Sequence, residues 1–422
     1  MKTKLLLASL FVLSIQQTVV AQTDALGYTQ ANMSMGAGYQ NRVFFNLEDG
    51  NMISQPANTW DIAFFRNSAM SFGSRINDAK EIKVYEASNN LADWDNISIT
   101  NISAWGEPIY NPDQTTSLQD GAFEQGSAPY GWGQYNGITH HIDGKIIFVL
   151  QYPDGTYIKF AIIDYFGGYT FKYSKWNGAS WGATETKTLA NGTDDAFFNY
   201  FSFTTGAKVD NLEPSKSAWD FVFTKYFTFY NNVMMYPLSG AIQSPNIKVA
   251  KVQPEDQATA AYTLPAASNF SSNITTIGHS WKGIGTVKND VVYYIKKGND
   301  YYRMYFITNG GTTTGDMYFK YKKITATLGV TEVGKKASFG IYPNPAPADK
   351  KVTVLFDIKE KANNKGNVEV YDLTGKKVYS AELTNQTGFY KQDMNLSNLT
   401  PGSYMVKITY GGNSETKKLI VK

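Results

Sequence analysis

The chain of 422 residues contains no cysteine and only three histidines. Without cysteine there is no disulfide framework, thiolate zinc site, iron–sulfur cluster or cysteine nucleophile. Charge of one sign is scarce too. The formal net charge is +3, and basic residues form only short pairs such as Lys296-Lys297 and Lys322-Lys323. Such pairs do not make the basic stripe that a nucleic-acid backbone requires, so no nucleic-acid partner is expected. Helical periodicity over more than three turns is missing beyond residue 21, and no stretch there reaches about 18 apolar residues. Aromatic residues, in contrast, are plentiful: Trp 8, Tyr 29 and Phe 25, alongside 36 glycines. An apolar share of 42% fills a core and argues against disorder. The aromatic and glycine content favours β structure, and domains of roughly 100–200 residues suggest two to four of them.

The N-terminus has the pattern of an export signal. Lys2 and Lys4 precede an apolar run over residues 5–15, and Val19-Val20-Ala21 offers small residues before Gln22. Residues 1–21 therefore read as a secretory signal peptide, cleaved after Ala21, which leaves a mature chain without a transmembrane segment. No cysteine follows that could carry a lipid. An exported chain without disulfides depends on packing alone.

An internal repeat follows. Val43-Phe-Phe-Asn-Leu-Glu-Asp-Gly50 matches Asn199-Tyr-Phe-Ser-Phe-Thr-Thr-Gly206, and Trp60-Asp-Ile-Ala-Phe64 matches Trp219-Asp-Phe-Val-Phe223. Trp132 matches Trp281, and Phe171-Lys-Tyr173 matches Phe319-Lys-Tyr321. The order is conserved between the copies and the offset drifts between 148 and 159 residues, as loop insertions in a duplication produce. Each segment reads as a strand. Asp154-Gly155 and Gly298-Asn299-Asp300 read as the turns of equivalent hairpins. Trp60 and Trp219 are expected in a core, with Asp61 and Asp220 on the opposite face or accepting hydrogen bonds at a strand end.

These motifs resemble the HmuY family of β-rich, haem-binding envelope proteins of Bacteroidetes, over roughly residues 39–175 and 198–325. The resemblance implies tetrapyrrole as the first cofactor to test, held between two axial His or Met side chains. His140, His141 and His279 are then the candidate haem ligands. Neighbouring methionines that could serve are Met33, Met35, Met52, Met70, Met234, Met235, Met304 and Met317. The histidines do not recur between the copies: an offset of 149 places Asn289 opposite His140 and Tyr130 opposite His279. On a strand, His140 and His141 would point to opposite faces.

Residues 328–338 read as a linker, and short alternating strands beyond it suggest a small β-sandwich. Tyr342-Pro-Asn-Pro345, Val370-Tyr-Asp-Leu-Thr-Gly375, Leu399-Thr-Pro-Gly-Ser-Tyr404 and Lys418-Leu-Ile-Val-Lys422 make residues 339–422 similar to the type A sorting domain of the type IX secretion system. That resemblance implies passage from the periplasm to an outer-membrane translocon and its sortase. There the domain is cut off, and the product is released or attached at the cell surface.

Catalytic patterns are weak. Gly178-Ala-Ser180-Trp-Gly182 fits a nucleophile elbow, but no helical pattern follows it. The pairs Asp93/Asp95 and Asp194/Asp195 are close in sequence, which does not make them convergent in space. The expected fold class is all-β: two tandem HmuY-like repeats, 22–195 and 196–327, and a C-terminal sandwich. The expected function is non-enzymatic binding outside the cell, of haem or another tetrapyrrole. The alternative is a carbohydrate- or surface-binding adhesin using Trp105, Trp132, Trp176 and Trp181, which lie in glycine-rich loops.

Overall fold

A computed structural model describes residues 23–66, 71–231, 233–259, 262–324, 337–411 and 413–422. The expected signal peptide, 1–21, lies outside them. So does the expected linker as far as residue 336, while 337 and 338 already open a strand. The chain forms two compact units, residues 1–324 and 325–422. Both are built from antiparallel sheets, and among the described residues no helix is long and apolar enough to cross a membrane.

The expected border at 195/196 falls inside the first unit, because the two repeats exchange strands. Asn41–Phe45, from the first repeat, pairs with Phe221–Tyr230 of the second. Phe198–Ser202, from the second, pairs with Ile62–Phe65 of the first. Each half of the unit therefore has a core completed by the other. Val43, Phe45 and Leu47 pack among Phe221, Phe223, Trp281, Phe306 and Phe319. Phe201 and Phe203 pack among Phe64, Trp132, Phe148, Phe160 and Phe171.

The exchanged strands are apolar on both faces because both faces are buried. Phe44, Phe198 and Tyr200 point the other way, into a seam shared with Trp60, Trp219, Val222 and Ile242. The two tryptophans of the Trp-Asp motifs thus meet in the seam between the halves.

Their neighbouring aspartates hold the exchanged strands. Asp61 and Asp220 are almost fully buried. The Asp61 carboxylate accepts from the backbone N–H of Phe203 at 2.6 Å, from Tyr152 Oη at 2.9 Å and from Lys80 Nζ. The Asp220 carboxylate accepts from the N–H of Leu47 at 2.7 Å and from Lys297 Nζ at 3.1 Å. The repeat glycines obey the same exchange. Gly50 (φ +72°) and Gly206 (φ +65°) turn the chain beneath the hydroxyls of Tyr321 and Tyr173, each from the other repeat. A Cβ on Gly50 would stand 2.5 Å from Tyr321 Oη, so only glycine fits there.

The second unit has a three-stranded sheet, Ala337–Tyr342, Lys351–Ile358 and Gly388–Asn395. Its partner sheet runs Lys377–Leu383, Gly366–Tyr371, Gly402–Tyr410 and Asn413–Val421. A single core of Val354, Phe356, Val370, Val406, Ile408 and Leu419, among others, makes this the expected β-sandwich.

Two outcomes follow from the exchange. Fragments 22–195 and 196–327, made separately, should lack cooperative unfolding and near-ultraviolet circular dichroism, whereas mixing them should restore both. Each buried aromatic lost with the missing strand is worth about 1.5–3 kcal/mol, against a total of about 5–15 kcal/mol. Asp61→Ala leaves a buried N–H, a hydroxyl and an ammonium without their acceptor, and should cost about 3–5 kcal/mol in denaturant unfolding.

Candidate functional site

The three histidines do not converge. His140 stands at φ +62° in the turn between Gly133–Tyr135 and Ile142–Gly144. Its Nδ1 lies 2.6 Å from Tyr135 Oη. His141 turns instead to Asp164, with Nδ1 2.7 Å from the carboxylate, and stacks on Phe166 at 4.5 Å between ring centres. His279 belongs to the other half, beside the long hairpin of the second repeat, with Nδ1 2.7 Å from Tyr226 Oη. Burial, reinforced by Lys282, holds the His279 imidazole below its ordinary pKa. Each ring is bonded to a different partner, so the three do not form one ligand set. Of the methionines, Met33, Met35, Met304 and Met317 fill the core of the second half, and Met52 and Met234 are exposed. Met70 lies outside the described residues.

The expected aromatic platforms are also arranged differently. Trp132 is fully buried, its indole donating to Glu124 at 3.2 Å. Trp176 and Trp181 meet edge to face at 5.2 Å, and the Trp181 indole donates to the Ile97 carbonyl. Trp181 and Trp105 pack on a small core with Trp94, Ile147 and Val149. Three of the four indoles therefore cover the outer face of a sheet, half-buried, and the fourth is inside it. Ser180 sits in the intervening turn, where its backbone and hydroxyl bond to Asn177. Asp93 accepts from Ser88 and Asp194 from Arg66, so these carboxylates tie down loops.

A cleft that the sequence did not signal lies where the halves meet on the surface. It encloses about 410 Å³, within the range of small-molecule sites. Its apolar wall consists of Tyr110, Tyr152, Phe227, Met235 and two prolines, Pro153 and Pro237. The rings of Tyr110 and Phe227 are 4.4 Å apart. Glu81, Lys83 and Gln151 add one carboxylate, one ammonium and one amide. Burial pushes the Tyr110 phenol up to about 12. Burial, with the Asp61 carboxylate beside it, pushes Tyr152 well above its usual value, so both hydroxyls stay protonated at neutral pH. Glu81 is paired at 2.6 Å with Lys225 from the second repeat. The lining comes from five separate stretches of chain, each unremarkable alone. Met235 is the only side chain there that the sequence pattern had singled out.

In the second unit, two of the sequence motifs meet. Asn344, within Tyr342-Pro-Asn-Pro345, donates from Nδ2 to the Lys418 carbonyl at 2.7 Å and accepts from the Ile420 N–H at 3.0 Å. Ala346 N–H bonds to the Ile420 carbonyl at 2.7 Å. The opening motif therefore grips the terminal Lys418–Lys422 segment. Residues 340–422 match the family described as secretion system C-terminal sorting domain. The second unit is a sorting domain. No curated protein matches the chain. The sorting domain indicates export through the type IX secretion system, to the cell surface or the extracellular space. Its machinery is thus the partner of this unit.

Deleting residues 339–422 should leave the protein in the periplasm, as read by surface proteolysis and fractionation; undiminished surface delivery would refute that. Asn344→Ala should destabilise the sorting domain by about 1–3 kcal/mol, the worth of two hydrogen bonds, as read by its own unfolding transition.

Proposed function

We propose that residues 23–324 form a non-enzymatic binding module, carried outside the cell by the sorting domain, whose ligand lies in the cleft between the halves. The observation behind this reading is the combination in one cleft of an aromatic wall and a few polar groups. Tyr110, Tyr152 and Phe227 offer flat faces, and Glu81, Lys83 and Gln151 stand beside them. A saccharide ring suits that lining, because its C–H face stacks on aromatic rings while its hydroxyls bond to carboxylate, ammonium and amide. The surroundings of Ser180, Asp93 and Asp194 support the non-enzymatic part, since their hydrogen bonds serve turns and loops.

A tetrapyrrole is the second reading, and Met235 favours it. Its thioether lines the cleft and is a possible axial ligand, in keeping with the HmuY-like motifs and the Bacteroidetes origin they imply. His140, His141 and His279 do not line the cleft, so this version assigns them no ligand role.

Calorimetric titration of the full mature chain with a panel of oligosaccharides, and spectroscopic titration with haem, separates the readings. Saccharide binding should weaken roughly tenfold in Tyr110→Ala, the loss of one aromatic contact. A Soret shift abolished in Met235→Leu would instead favour the tetrapyrrole. If neither ligand class binds, the cleft is not the site.

A further inference from the structure

Along the seam lies a second and smaller pocket, of about 80 Å³. Its walls are apolar for the most part: Phe44, Ala63, Ile76, Phe198, Val222 and Ile242. Three of its lining residues nevertheless carry a buried polar hydrogen without a partner. They are the Nε–H of Arg42 and the indole N–H groups of Trp60 and Trp219. These residues are only 6%, 8% and 3% exposed. The Arg42 guanidinium is held in place by rings, 4.5 Å from Tyr200, 5.0 Å from Phe44 and 5.3 Å from Trp60. Its other nitrogens are occupied, Nη1 by Tyr200 Oη at 3.2 Å and Nη2 by the Leu212 carbonyl at 2.8 Å.

Buried donors are seldom left unmade in native proteins, because each forfeits its hydration. The acceptors around this cavity are already engaged. Glu213 accepts from the N–H groups of Phe197 and Phe198 and from Tyr200 Oη. Asp78 accepts from Asn111, and Asn77 Oδ1 accepts from the Ala79 N–H. Burial raises the pKa of both carboxyls, Asp78 to about 7 and Glu213 upward. Of the cations lining it, Lys225 is paired with Glu81, which leaves the Arg42 guanidinium with its Nε–H free.

Three donors with no free acceptor call for an acceptor-only guest, and the guanidinium favours an anionic one. A cavity of about 150 Å³ accommodates benzene, so this one holds a guest of three or four heavy atoms. The geometry points to a small-carboxylate site in the seam, with Arg42 Nε, Trp60 Nε1 and Trp219 Nε1 as its donors. It is separate from the surface cleft and does not depend on what occupies that cleft. Because its walls come from both repeats, occupancy ties the halves together.

Acetate is the probe, added to the ¹⁵N-labelled full mature chain at constant ionic strength against chloride. The indole N–H resonances of Trp60 and Trp219, assigned by Trp60→Phe and Trp219→Phe, should move together and saturate. The other indoles, of the 8 tryptophans in the chain, should stay in place. Arg42→Lys removes the Nε donor and should weaken acetate at least about tenfold, as expected for a lost charged hydrogen bond. If that variant does not fold, Trp219→Phe, which keeps an aromatic ring in the seam, should show the same loss through the Trp60 signal. Indoles of Trp60 and Trp219 that do not move, or a folded donor variant that binds acetate like the parent, would overturn the site and leave a cavity that holds only water.

Discussion

The carboxylates of Asp61 and Asp220 each accept a backbone N–H from the turn just past a strand that belongs, in chain order, to the opposite half. That pair of bonds fixes the depth and register of the exchanged strands, because each aspartate also meets a lysine from its own half. A buried carboxylate must be satisfied where it stands. Moving either exchanged strand by one residue would remove the N–H and turn every side chain to the wrong face. The aromatic cores and the seam therefore all depend on these two residues being met.

The exchange has consequences for function. In two independent tandem domains, each copy would have its own site. Here the larger cleft and the smaller seam pocket both draw their walls from the two halves at once. Across the seam Tyr110 packs on Phe227 and Glu81 pairs with Lys225. The histidines are used separately. Tyr135, Asp164 and Tyr226 each hold one, and each belongs to local structure.

The sorting domain achieves its order differently. Its core is a small sandwich of alternating strands, and its two most recognisable motifs, at the start and the end, close on each other through Asn344. The pairing of motif to motif gives a physical reason for their joint presence. Between prolines at 343 and 345, which cannot donate, the side-chain amide supplies one donor, to Lys418, and one acceptor, for Ile420.

All-β architecture was legible from aromatic content, glycine turns and missing helical periodicity, and the sorting domain from four short motifs in order. The tryptophans of both Trp-Asp motifs were placed in a core, and of the two positions open to their aspartates the structure realises the one that accepts hydrogen bonds at a strand end. The exchange was not legible. Asn41–Phe45 has the same apolar pattern whichever copy of the partner strand it joins, and pairing energy in a sheet depends on neighbours that are distant in sequence. For the same reason Trp132, in a glycine-rich stretch, read as a loop platform and lies in a core. The cleft's lining was invisible because Glu81, Tyr110, Tyr152, Phe227 and Met235 become neighbours only when the halves close. The sequence by itself determined the strand content and the export address, which rest on local patterns. The tertiary structure alone decided which strand completes which core and where cavities remain, because those depend on contacts between residues more than a hundred positions apart.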